Sequence, residues 1–340
     1  MRPGSSHRPP VWRQHHYLAI AAVLALIALY FQFGAHLHVP GMFGKVDRAS
    51  GQTHFNEWLL LGGVTTSFYL VFGIGGRFAF SMAAFYGLGA YVSHWATRTS
   101  RHNFLVGTAT AVVIAAVISL AFAVLVRRAH HFYFAVATLG LSEVFLLLFQ
   151  RVTRLTGKSS AEISGSKKID LFGWAATSRY RHFWVILAAL GLVLLVVALV
   201  ERSSLASRAI AARDNPTVSE TLGIDSARPG IVLFVLGSSL AALTGSLFVH
   251  TRSVGTPDTF GLKLGIGIFV ALILGGLHSM WGGLIGAWFY TFIPLYLTSL
   301  EQWTQVIWGV VLVVVMIAMP EGLVGALRWV RARLRRSVST

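Results

Sequence analysis

The chain is 340 residues long, 55% hydrophobic and only 12% charged, with a mean hydropathy of +0.68. A water-soluble domain of this size needs more charge to cover its surface, so composition alone excludes one. Cysteine is absent, which removes disulfides, thiolate metal sites and cysteine nucleophiles, and the net charge of +16 reads as basic residues flanking membrane spans rather than as a nucleic-acid surface.

In chain order, residues 1–16 form a basic tail expected on the cytoplasmic side. The apolar stretch that follows is long for a signal peptide and lacks a clean small-x-small cleavage site, because Phe33 spoils it; it reads as a retained first span. Ten candidate spans are expected, at 17–35, 57–75, 78–96, 104–126, 132–150, 182–200, 230–251, 264–280, 282–299 and 303–319. A spanning helix needs about 20 apolar residues, because ~30 Å of hydrocarbon is crossed at ~1.5 Å per residue. The third stretch and the eighth-to-ninth pair are rich in glycine and are expected to be broken or re-entrant, so the count is eight to ten. The predicted fold class is all-α, a polytopic bundle over residues 17–319, with a coupling loop at 201–229 and a basic tail at 320–340.

Small residues recur every four positions at Gly237, Ala241 and Gly245, and again at Gly282 and Gly286. Such stripes let helices approach closely where lipid supplies no hydrophobic drive to associate. The basic tail Arg328–Arg336 carries no acid, which favours placing it and the first tail in the cytoplasm. The loop 151–181, with Lys158, Lys167, Lys168, Arg179 and Arg181, is then expected outside, as a solvated loop or a partner-docking surface.

Several chemistries are missing. Gly157-Lys158-Ser159 resembles the end of a phosphate-binding loop, but Val152 stands where its first glycine is required, so ATP chemistry belongs to another chain. His7, His15, His16, His36 and His38 cluster near the start without the convergent ligand spacing a metal needs. No triad or carboxylate pair is visible, so the chain is not expected to be an enzyme. Glu143 is the one carboxylate well inside a span. A charge there costs ~3 kcal/mol or more, so it should face the bundle interior, on the face of Gly140 and Gln150, as a pathway or gate residue or as an interhelical hydrogen-bond partner.

The most informative stretch is Ser203–Gly230, the longest polar interruption on the expected cytoplasmic side. Asp214 and Asn215 followed by Pro216 make a helix start, and Gly223 makes a stop. The two turns between them place Val218 and Leu222 on one face and Glu220 off it. A short, capped, projecting helix suits docking on a partner, or an ordinary interfacial position.

These residues carry a resemblance. Ser207–Asp214 followed by Glu220–Ile224 is similar to the cytoplasmic coupling segment of branched-chain amino acid ABC permeases of the LivM type. The similarity continues through Phe234–Leu236, Ala241–Leu247, Pro257–Phe260, Gly275–Gly283, Gly286-Ala287 and Pro320–Gly325. Upstream, Thr138–Gly140 with Glu143 resembles the family's fifth-span pattern, and Ala83–Phe85 with Gly87, Gly89, Ala90 and Tyr91 its early signature.

The resemblance implies a multi-pass permease in a bacterial inner membrane, paired with a second related permease subunit. Two ATP-binding subunits would hold ATP and Mg, this chain holding no cofactor, and an extracytoplasmic binding protein would deliver the solute. Arg213, Asp214, Asn215, Pro216, Glu220 and Gly223 would then couple to the ATPases. Glu143, Gly140, Gly87, Gly89, Gly275 and Gly276 would line the pathway or gate. The alternative is an ion-coupled secondary transporter, which a single buried carboxylate disfavours. The early signature departs from the family's Gly-Gln-Leu-Ser-Leu-Gly-His at Arg77, Ala79 and Met82, and His278 stands where glycine is usual. The outside loop lacks the usual Gly-Pro-Asn-Gly cluster. These departures leave urea, amides and other amino acids open as solutes beside Leu, Ile and Val.

Overall fold

A computed structural model describes residues 16–34, 48–99, 103–127, 131–151, 163–164, 169–171, 174–176, 179–223, 225, 227–252 and 254–296, with isolated residues 310 and 322. Long apolar helices form because hydrocarbon cannot satisfy a bare backbone. They are α1 (His16–Gly34), α2 (Arg48–Tyr69), α3 (Met82–Thr99), α4 (Phe104–Leu125) and α5 (His131–Arg151). The order continues with α6 (Arg179–Arg202), α7 (Ser204–Asp214), α8 (Pro216–Thr221), α9 (Arg228–Thr251), α10 (Leu262–Gly275) and α11 (Met280–Tyr296). Two antiparallel ribbons pair β1 (Ile163–Ser164) with β4 (Val254–Gly255) and β2 (Ile169–Leu171) with β3 (Trp174–Ala176); at two or three residues each, they leave the class all-α.

Six of the described helical segments are long and apolar enough to cross a membrane: Gln52–Ile74, Phe104–Leu125, Phe132–Arg151, Arg181–Arg202, Arg228–Thr251 and Pro257–Gly275. They match the second and the fourth to eighth expected stretches. The first is a helix whose apolar part, Leu18–Leu29, is shorter. The ninth is the 17-residue α11, and the tenth, at 303–319, lies outside the described residues apart from Val310.

The third expected span begins later than its hydropathy indicated. Residues 76–79 are non-helical and α3 starts at Met82. Upstream, α2 does not end cleanly but passes into a π turn at Leu70–Ile74. The chain between the two helices is therefore broken, as its glycine content predicted. Gly76 takes φ +65°, a conformation that costs a side-chain-bearing residue energy.

The core forms around α3, which is enclosed by α9, α4 and α5. Tyr91 stacks on Phe149 with ring centroids 4.3 Å apart, and Phe260 meets both. The predicted small-residue stripes are sites of close helix contact. A side chain at Gly245 would strike the Tyr86 carbonyl, and one at Gly237 would come 2.5 Å from Val71 and 2.9 Å from the Ser67 carbonyl. Gly275, Gly282 and Gly286 bring α10 and α11 into backbone contact in the same way.

The two ends of the bundle differ. One gathers the end of α2, the starts of α3 and α9, and the pair α7–α8: Tyr69 Oη donates to Glu201 at 2.6 Å, and Arg77 reaches the Ala227 carbonyl. The other holds the start of α2 and the end of α9, where Glu57 takes His54 at 3.3 Å and an ion pair from Arg252.

Candidate functional site

The first candidate is the helix pair α7–α8. Ala206, Ala209 and Ala212 are buried at three-residue spacing, so α7 lies closely on the bundle by a stripe of methyl groups. The break to α8 is made as expected. Asn215 Oδ1 accepts the Val218 amide at 3.1 Å, and Pro216 occupies the first turn, where a missing N–H costs nothing. The end is also as expected, with Gly223 at φ +74°. Only Ser219 of α8 is buried. Val218 is 52% exposed and Leu222, just past the helix, 73%, and Asp214 and Glu220 are exposed as well.

Arg213 behaves differently from the other residues expected to face a partner. Its guanidinium turns inward, and Nη1 donates to the Gly73 carbonyl at 2.6 Å while Nε donates to Asp214 at 2.9 Å. Its stem lies where a Gly76 side chain would be. Arg77, one of the departures from the family signature, holds the same break from another side. It lies over the Phe134 ring at 5.3 Å and donates to the Ala227 carbonyl at 3.4 Å, in space that Gly230 leaves free. The other two departures, Ala79 and Met82, are buried, and Met82 lies against the Gly237 position. His278 is exposed in the turn between α10 and α11.

Asp225, just before α9, accepts the amides of Ala227 at 2.9 Å and Arg228 at 3.2 Å. The Ala227 hydrogen bond is the chief reason its carboxyl lies below the usual range. It caps the first turn of α9 from three residues before the helix, a position the sequence reading did not single out.

The second candidate is the surface carrying Glu143. The structure places Glu143 half-buried at the edge of the open face of α5, not in the bundle interior. Gly140 beside it is exposed, and a side chain there would meet nothing within 4 Å. Gln150, lower on the same edge, approaches Asp258 at 3.5 Å. The open face of α4 makes a useful contrast: its exposed large residues are Leu105, Val106, Val113, Val117, Leu120, Val124 and Leu125, all of which lipid accepts. The expected pathway glycines fall into two groups. Gly140 is open, whereas Gly87, Gly89, Gly275 and Gly276 are buried, with Gly87 against Phe260 and Phe149, and Gly89 against the Ala242 backbone.

Among the described residues there is no group of three or more His, Asp or Glu that could hold a metal. His7, His15, His36 and His38 lie outside them, and His16 begins α1.

The family model described as branched-chain amino acid transport system / permease component matches residues 59–320. The chain is similar to the high-affinity branched-chain amino acid transport system permease protein LivM of Salmonella typhimurium, 24% identical over 281 residues, 75% of this chain and 65% of that protein. LivM of Escherichia coli K12 matches to the same extent. A probable branched-chain amino acid transport permease protein LivH of Methanocaldococcus jannaschii is 29% identical over 219 residues, 60% of this chain and 67% of the relative. The chain thus spans slightly under two thirds of the LivM proteins it matches. No solved structure matches it. With the bundle, the Gly-rich break and the projecting capped helix in one chain, and a family model covering most of its length, the protein belongs to the permease-component family of branched-chain amino acid transport systems.

Proposed function

We propose that this chain is the membrane-spanning permease subunit of an ATP-driven importer in a bacterial inner membrane. Its solutes are branched-chain amino acids or a related small polar molecule. The observation that carries the energy coupling is α8, a helix with a satisfied cap whose apolar residues Val218 and Leu222 stand in solvent. A rigid helix that exposes apolar side chains at the end of a bundle is built to be covered by another protein. The occupant we assign is an ATP-binding subunit, with a second permease and an extracytoplasmic binding protein completing the assembly.

The orientation follows from charge. Gly322 packs against Gly276 in the α10–α11 turn, next to the α7–α8 end, and the acid-free basic tail Arg328–Arg336 follows shortly afterwards. Arg127, Arg202, Arg208, Arg213 and Arg228 belong to segments at that end. Basic residues are retained on the cytoplasmic side, so this end, with both termini, is assigned there. The pathway is assigned to the open face of α5 at Gly140 and Glu143, where a carboxylate cannot face lipid and a second permease or water-filled passage must cover it.

The test is co-purification. Leu222→Asp and Val218→Asp place charge on the exposed tip without touching the buried stripe of α7. The permease should still insert in the membrane but no longer retain its ATP-binding subunits. Full retention of those subunits by both variants would remove α8 as the docking element.

A further inference from the structure

The end of α2 is the least regular backbone in the bundle core. Its π turn is followed by non-helical residues, and the amides of Gly75, Gly76 and Arg77 return to the carbonyls of Leu70, Phe72 and Val71 at 3.1, 2.9 and 3.1 Å. The Gly73 carbonyl falls outside that pattern and needs a donor from elsewhere. Arg213 Nη1 supplies it at 2.6 Å, from a helix 140 residues away in sequence. On its other side Gly73 is pressed by the α10–α11 turn, since a side chain there would sit 2.6 Å from the Leu277 carbonyl. Gly73 therefore lies between the cytoplasmic helix pair and the second glycine-rich break.

We propose that Arg213 is a positioning residue rather than a docking residue. It ties α7–α8 to the broken end of α2, so that displacement of the helix pair is passed to the Gly73–Gly76 break instead of being lost in the connecting loop. Three features support a rigid tie. Asp214 fixes the guanidinium from the outside at 2.9 Å. The aliphatic stem fills the space of the absent Gly76 side chain, leaving little slack. The alanine stripe of α7 keeps the base of the tie against the bundle. The proposal rests on the transport reading given above, and it adds a route by which events on α8 reach a membrane segment.

The test uses the assembled transporter in proteoliposomes, with radiolabelled leucine, isoleucine and valine as probes, measuring uptake and ATP hydrolysis in parallel. Arg213→Ala should keep its ATP-binding subunits on co-purification yet lower solute moved per ATP hydrolysed by roughly tenfold, the range of an ordinary coupling energy. Arg213→Lys, which still reaches with a donor, should recover part of that loss. Gly76→Ala should displace the Arg213 stem, and combining it with Arg213→Ala should add little, because the two residues act as one unit. Loss of the ATP-binding subunits from Arg213→Ala would make Arg213 a docking residue and overturn the proposal. So would an unchanged uptake-to-hydrolysis ratio, or additive losses in the double variant. Should Arg213→Ala not accumulate in the membrane, Arg213→Gln carries the same test.

A second readout is independent of transport. The chain has no native cysteine, so Ala79→Cys at the buried break can be labelled alone. Arg213→Ala should speed that labelling several-fold, and unchanged labelling would overturn the tie. If the wild-type assembly shows no ATP-dependent uptake of these amino acids while labelling responds to Arg213, the branched-chain part of the transport reading fails and the tie stands.

Discussion

Asp225 and Arg213 show how single side chains set the geometry of the α7–α8 end of the bundle. The Asp225 carboxylate is stabilised by the amides it caps, so its folded pKa lies below its unfolded value. The stability it contributes is complete above the usual carboxylate range and is lost as the pH falls through the lowered value. Once the intrinsic pH dependence of exchange is divided out, the protection of the Ala227 and Arg228 amides should therefore fall on acidification in the wild type. Asp225→Asn, which cannot titrate, should show protection that does not change over the same range. Asn215 acts just as locally. Replacing it, Asn215→Ala, should destabilise α8 by about 1 kcal/mol, as loss of a capping side chain does, and loosen exchange at the Val218 amide. The cap, the proline and the stop at Gly223 were all readable in the sequence, because each acts on its immediate neighbours. The inward turn of Arg213 was not. An arginine in the last turn of an alanine-rich helix fits a solvent-facing position equally well, and only the distant Gly73 carbonyl decides between the two.

At the level of elements, hydropathy located the spans and missed their irregularities. The run 57–75 is continuous in sequence but ends in a π turn, and 78–96 loses its first four residues to non-helical backbone. Averaged hydropathy cannot see this, because Phe78 and Phe80 are as apolar as any helical residue; Phe78 lies outside the helix and packs with Phe72, Phe80 and Phe269. The glycine stripes, by contrast, mean what their spacing indicated. Gly286→Val should be the more damaging kind of core substitution, since its side chain would enter the Ala271 carbonyl. Overpacking costs about 1–3 kcal/mol even where a side chain can yield, and backbone yields less. A thermal-unfolding scan in detergent should show a clear drop for Gly286→Val. Gly140→Val, at a position with open space, should unfold near the wild-type temperature.

For the whole molecule, α4 and α5 are both exposed over much of their length. The exposed residues of α4 are Leu, Val and Ala alone, whereas α5 adds Gly140, Gln150 and the half-buried Glu143 to an otherwise apolar face that includes Val136, Val144 and Leu147. The sequence predicted an interior Glu143, whereas the carboxylate is half-buried at the edge of the exposed face of α5, beside the exposed Gly140. The central claim is that this chain moves solute only under the power of ATP-binding partners. Its most direct test is uptake of radiolabelled branched-chain amino acids into proteoliposomes, comparing the chain alone under proton and sodium gradients with the chain assembled with its co-purifying ATP-binding subunits, second permease and binding protein. The account predicts uptake only in the complete assembly and only with hydrolysable ATP. Gradient-driven uptake by the chain alone would contradict it.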